Sequence, residues 1–149
     1  MPTERAKFPV AVHLFLRRGG DILLLRRFNT GYEDGSYSVI AGHADGGEDV
    51  YAAMLREARE EAGIEICRDD LRAVQVMHRN KPGGINREYI DYFFECRRWQ
   101  GEVQNREPHK CDDLAWFPVG ALPLNMVGYV RQAVQNTLEG RQFTLFGWE

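Results

Sequence analysis

Gly42-His43-Ala44-Asp45-Gly46-Gly47-Glu48, followed by DVYAAMLREAREEAGI over residues 49–64, decides how this chain is read. From Glu48 the pattern takes a helical period, with Tyr51, Leu55, Ala58 and Ala62 on one apolar stripe and charge on the rest. Acidic Glu48 and Asp49 suit a helix start, and Gly63 stands where a left-handed C-terminal cap is expected. Glu57, Glu60 and Glu61 fall at i, i+3 and i+4, so their carboxylates share nearly one face. Like charges at that spacing repel by about 0.2–0.5 kcal/mol per pair. Glu60 and Glu61 also lie at the negative end of the helix dipole, which raises the cost again. A divalent cation turns this liability into a binding site. The donors are hard oxygens, which favour Mg²⁺, with Mn²⁺ as a substitute, over zinc or copper. Magnesium usually shares its shell with water and phosphate, so a phosphate-containing substrate is expected.

Most glutamate-rich helices are solvated faces, and three glutamates alone would be read that way. The surrounding spacing overturns that reading. Gly42, five residues, Glu48, seven residues, Arg56-Glu57, apolar Ala58, one residue, Glu60-Glu61, one residue, Gly63 and apolar Ile64 resemble the Nudix box, GX5EX7REUXEEXGU, at every fixed position. At ordinary residue frequencies such a coincidence arises on the order of once in 10⁸ windows. By this resemblance the chain is identified as a Nudix hydrolase of the MutT-like nucleotide pyrophosphohydrolase branch.

The resemblance implies an α/β/α sandwich with a mixed sheet and Mg²⁺-dependent hydrolysis of a nucleoside diphosphate-linked substrate. It implies Glu60 and Glu61 as the main metal ligands, joined by the backbone carbonyl of Gly42. Glu57 is then the general base or a further ligand. Arg56 and Glu48 complete the catalytic set as orienting residues that tie the glycine loop to the helix. Side-chain reach agrees, since Arg56 can pair with Glu60 at i+4 or extend back to Glu48.

Working outward, the apolar runs PVAVHLFLRR and DILLLRR flank Gly19-Gly20-Asp21 and are expected to form a hairpin. A polar loop over 28–35 leads to a short strand over 37–41. Beyond the helix, strands are expected at 71–79 and 88–98 around a loop at 80–86, then near 114–119, with a closing helix over 125–138. Strands, helix, strands, helix without repeat or linker make one α+β or mixed α/β domain over 1–149, with the box at 42–64.

Outside the box, Arg27 ends the second run, and in MutT-like relatives the matching arginine contacts substrate phosphate, as a planar guanidinium does well. Asn105-Arg106-Glu107-Pro108-His109-Lys110-Cys111, followed by Trp116-Phe117, resembles the N-x-E-P-x-K-C…W stretch of the same branch, which makes Glu107 one more metal-ligand candidate. The basic stretch His78-Arg79-Asn80-Lys81 and Arg87 is a weaker candidate for phosphates or a base, and Trp99, Trp116, Trp148 and His43 weaker still. The chain lacks the SQPWPFPxS stretch of NADH-cleaving relatives and the coenzyme A signature. The proline and tyrosine markers of ADP-ribose and dinucleoside polyphosphate members fall out of register.

A nucleoside triphosphate is therefore the favoured substrate, giving a monophosphate and pyrophosphate. The alternatives are another diphosphate (a nucleotide sugar, a prenyl diphosphate or an RNA 5' end) or a non-catalytic nucleotide sensor. A formal net charge of -3 argues against a nucleic-acid polymer as partner. Cys67, Cys96 and Cys111 lack disulfide or zinc spacing. The apolar stretch from Phe8 to Leu16, interrupted by His13, reads as a strand rather than a signal peptide or membrane span. A cytoplasmic protein acting on small nucleotides is expected, and the composition is compatible with an oligomer.

Overall fold

The computed structural model describes residues 4–81 and 87–148. In chain order the elements are β1 (Val10–Arg18), β2 (Asp21–Arg27), β3 (Tyr37–Ser38), β4 (Ile40–His43), α1 (Val50–Ala62), a 3₁₀ turn (Arg68–Asp70), β5 (Arg72–Asn80), β6 (Glu88–Cys96), β7 (Cys111–Pro118), α2 (Gly128–Leu138) and β8 (Phe143–Phe146). The loop expected at 80–86 lies outside the described residues over 82–86.

Gly19 supplies the left-handed backbone, at φ 57°, that lets β1 turn tightly into β2. The two strands pair only at Arg17–Ile22 and Arg18–Asp21 and then splay, because each takes other neighbours. β1 pairs antiparallel with β4 and parallel with β6. β2 pairs antiparallel with β3 and β7. β5 lies antiparallel to β6, and β8 runs parallel to β5. The result is a mixed eight-stranded sheet.

Both faces of this sheet are covered. Val12, Leu14, Leu16, Leu23, Leu25 and Ile40 pack against Ala53, Met54, Ala58 and Ala62 of α1. Alternate residues Phe15, Ile22, Leu24, Met77 and Phe93 pack against Val130, Ala133 and Val134 of α2. Two buried faces explain why β1 and β2 read as continuous apolar runs instead of alternating ones. The α/β/α sandwich with a mixed sheet is the architecture observed.

Several boundaries move for tertiary reasons. The strand expected at 37–41 is two strands, because Tyr37–Ser38 pairs with β2 while Ile40–His43 crosses to β1. The helix expected from residue 125 starts at Gly128, since the preceding backbone is engaged by Tyr37: its N–H donates to Asn125 O at 2.7 Å and its carbonyl accepts from Val127 N at 2.9 Å. β7 begins three residues earlier than expected and β6 ends two earlier. β8 was not expected at all; its four residues make a strand only through pairing with β5. Among the described residues no helix is long and apolar enough to cross a membrane.

Candidate active site

α1 is closed at both ends by its own sequence. The Asp49 side chain accepts from Ala52 N at 2.9 Å, and Gly63, at φ 68°, donates its N–H to Arg59 O at 3.0 Å. Burying Ala58 and Ala62 against the sheet turns Glu57, Glu60 and Glu61 to a cleft of about 550 Å³ that Arg27, Glu107 and Lys110 also line. The structure thus brings together five of the sequence-predicted residues from α1, β2 and the loop before β7.

Arg56 organises the base of this face. Its Nε and Nη2 donate to the two Glu48 carboxylate oxygens at 3.1 and 2.7 Å, and Nη1 donates to Glu57 at 2.6 Å and to Glu60 at 3.3 Å. Nη2 also reaches the His43 carbonyl at 3.2 Å, which fastens the glycine loop to the helix. The Glu48 carboxylate, held by Arg56 and by the Asp45 N–H, sits below its usual pKa, and these same carboxylates raise that of Arg56. Both routes open to Arg56 in the sequence, to Glu60 and back to Glu48, are used at once.

Gly42 faces Glu57 so closely that a Cβ there would land on the Glu57 carboxyl group. Its glycine identity is therefore a matter of space rather than of backbone angle. Glu61 presents the opposite anomaly: the residue as a whole is half-buried, yet its Oε2 is sealed from solvent and has no hydrogen-bond partner among the described residues. Burial pushes its pKa well up, and the Glu57 carboxyl and the charge of Glu107 push it further, against a smaller pull from the Ala41 N–H. A protein seldom leaves such an atom unmatched. Among the described residues no three acidic, histidine or cysteine groups already form a closed metal cage. The orphaned Glu61 oxygen, the space kept open at Gly42 and the all-oxygen donor set nevertheless fit a hard divalent cation.

The loop before β7 is secured to the end of α1. Glu61 and Ala62 carbonyls accept from Arg106 N at 3.1 Å and Gln104 N at 3.0 Å. Asn105 then braces the loop internally, accepting from Glu107 N at 3.1 Å and donating to Cys111 O at 2.7 Å, so the N-x-E-P-x-K-C stretch holds Glu107 toward the carboxylate face. Arg27 lines the cleft but spends part of its guanidinium on the loop over 28–35, donating to Tyr32 O at 2.6 Å and to Thr30 Oγ1 at 3.1 Å.

The weaker candidates divide. Trp99 and Trp116 stack at 6.0 Å with Arg18 over Trp116, and Trp148 donates to the His78 carbonyl at 2.9 Å; these are packing roles away from the cleft. His43 and Arg79 instead line a second cavity of about 350 Å³ beside Gly42, with Tyr32, Lys81, Tyr89 and Tyr129. Behind it, Arg79 pairs with the fully buried Asp91 at 2.7 and 3.2 Å. His13 Nε2 lies 2.9 Å from the Tyr129 hydroxyl, and burial lowers the His13 pKa to about 4. Sequence reading missed His13, Asp91 and the three tyrosines, which carry no motif; buried charge inside apolar strands was the only signal.

The chain matches the NUDIX domain family over residues 7–136. It is 30% identical over 114 residues to the NAD-capped RNA hydrolase NudC of Pseudomonas aeruginosa and 33% identical over 114 residues to that of Pseudomonas fluorescens. Each match covers 74% of this chain and 36% of the relative, so the chain matches about a third of their length. The crystal structure of a MutT NUDIX hydrolase from Burkholderia pseudomallei superposes with a TM-score of 0.79 at 25% identity, covering 87% of this chain and 98% of that one. The solution structure of the E. coli ORF135 protein gives 0.74 at 23%, covering 89% and 90%. With the glycine loop, the Arg56 network and the carboxylate face all carried on this sandwich, the chain belongs to the Nudix family.

Proposed function

We propose that this Nudix domain is a Mg²⁺-dependent nucleoside triphosphate pyrophosphohydrolase, releasing a nucleoside monophosphate and pyrophosphate in the cytoplasm. The observation that carries the reading is the sealed, unpartnered Glu61 Oε2 on a face shared with Glu57 and Glu60, inside a cleft that Arg27 and Lys110 line with positive charge. Glu60, Glu61, the Gly42 carbonyl and Glu107 are the groups that would hold the metal. When bound, the metal neutralises charge developing on the phosphates and acidifies water. Glu57, steadied by Arg56 at 2.6 Å, takes the proton of the attacking water as the phosphorus–oxygen bond to the leaving pyrophosphate breaks. Arg27 and Lys110 neutralise the phosphate chain. The free Cys67, Cys96 and Cys111 suit a reducing compartment.

The relatives named as NAD-capped RNA hydrolases raise a dinucleotide cap as another substrate, but this chain has no SQPWPFPxS stretch. The test is incubation with Mg²⁺ and a panel of nucleoside triphosphates, nucleotide sugars, dinucleoside polyphosphates and capped RNA, with product identification. A monophosphate and pyrophosphate from a triphosphate are expected. Turnover of capped RNA alone, or tight binding without turnover of anything, overturns the reading.

A further inference from the structure

We propose that Arg79 and Lys81 form an anion subsite in the second cavity that receives a further phosphate group of the substrate, beyond the diphosphate that is cleaved. The inference rests on the pyrophosphohydrolase reading for its substrate, and on the cavity itself for its chemistry.

Among the described residues, the cavity is lined by three cationic side chains, Arg27, Arg79 and Lys81, and by no carboxylate. Each cation is seated on a tyrosine. Arg79 Cζ lies 3.7 Å from the Tyr129 ring centroid and 4.1 Å from that of Tyr89, Lys81 Nζ lies 4.0 Å from that of Tyr32, and Arg27 Cζ lies 5.0 Å from the same ring. Three tyrosines committed to cations in this way are platforms for positive charge more than free surfaces for a stacked base.

Asp91 further defines what Arg79 offers. The carboxylate takes Nε and Nη2, one side of the guanidinium, and leaves the Nη1–Nη2 end without a hydrogen-bond partner among the described residues. Arg79 is 8% exposed and Asp91 0%, so the pair is desolvated and the arginine is held in one orientation. A planar fork fixed in this way matches two oxygens of a phosphate. His13, which also lines the cavity beside Tyr129, has its pKa lowered by burial to about 4 and so adds no charge of its own near neutral pH. One carboxylate behind three cations leaves the chamber with surplus positive charge, which an anion would balance.

Position supplies the link to the reaction. Arg27 and Ala41 line both cavities, and Gly42 lines the second, so the chamber begins where the carboxylate cleft ends. A phosphate in the chamber is thus one group removed from a diphosphate in the cleft. Two sources share that chemistry: the terminal phosphate of the triphosphate chain, and a phosphate carried on the far side of the nucleoside.

The direct probe is inorganic phosphate, titrated by calorimetry or NMR into the full chain in EDTA, where no hydrolysis occurs. Saturable binding is expected, weakened about tenfold in Lys81→Gln and in Arg79→Lys, which keeps a cation beside Asp91. Thermal melting verifies that each variant is folded, and Lys81→Gln suffices if Arg79→Lys is not. Unchanged phosphate affinity in Lys81→Gln, or saturable binding of an uncharged nucleoside in place of phosphate, overturns the subsite. With Mg²⁺, Lys81→Gln should raise KM without lowering kcat. Lost preference for triphosphate over diphosphate assigns the terminal phosphate; lost preference for a 3'-phosphorylated nucleotide assigns the distal one; neither loss overturns the proposal. Phosphate binding without hydrolysis sinks the pyrophosphohydrolase reading alone, and normal hydrolysis with Lys81-insensitive phosphate binding sinks this one alone.

Discussion

The two cavities that meet at Arg27 and Ala41 handle charge in opposite ways. In the cleft, like charges are crowded on one helix face, and the innermost, Glu61, has an oxygen with neither solvent nor a partner among the described residues. In the chamber, cations are crowded and only partly offset, Arg79 by Asp91 and two tyrosine rings, Lys81 by a third ring without a carboxylate. The first arrangement leaves a buried oxygen with nothing to match it, whereas the second spreads its charge over one carboxylate and three rings and keeps positive charge in excess. That contrast suits a cleft that recruits a cation and a chamber that only positions an anion.

The largest expected effect comes from neutralising the cleft. Glu57→Gln and Glu61→Gln should each lower kcat by roughly 10²–10⁴-fold with the fold intact, measured by pyrophosphate release and thermal melting. Removing the charge at Glu61 should also change the metal-free protein. Because its folded pKa lies above the unfolded value, its contribution is fully present below the ordinary carboxylate range and is lost as pH rises through the raised pKa. In EDTA the wild type should lose melting temperature with rising pH over that window. Glu61→Gln or added Mg²⁺ should flatten the slope; an unchanged slope in both would remove Glu61 from the metal face.

On the chamber side the pH dependence has the opposite sign. His13 has a folded pKa of about 4 against an ordinary 6.5, so its contribution is full above pH 6.5 and is lost as pH falls toward 4. The loss amounts to about 3 kcal/mol, read by urea denaturation across that range. His13→Gln should remove the slope.

Gly42→Ala tests the space between the loop and Glu57. The added methyl group should cost about 1–3 kcal/mol and displace the carboxylate, with reduced Mg²⁺-dependent activity in the same preparation. Arg56→Lys is the smallest of the set. It exchanges the fork on Glu48 for a single contact, so a loss of about 1 kcal/mol in urea denaturation is expected, with lower kcat if Glu57 is no longer steadied.

What was legible in the sequence follows the same divide. Glu57, Glu60 and Glu61 belong to one helix, where spacing converts directly into direction, so their shared face needed no structure, whereas Gly42 of β4 and Glu48 joined them through the family resemblance. Glu107 was legible only through resemblance, and its arrival at the cleft depends on carbonyls of the last turn of α1 binding the backbone at 104 and 106. The chamber was hidden: His13 and Tyr129 touch across 116 positions, and Arg79 meets Asp91 only because β5 and β6 pair in that register.

The sequence by itself determined the carboxylate helix, its caps and the apolar runs of β1 and β2, because these depend on periods of a few residues within one element. Tertiary structure alone decided that residues 37–43 divide between two neighbours, that Phe143–Phe146 is a strand, and that three cations sit on three tyrosines beside Gly42. Those outcomes rest on which strands and loops become neighbours, and backbone pairing between distant segments leaves no period in the chain to mark it.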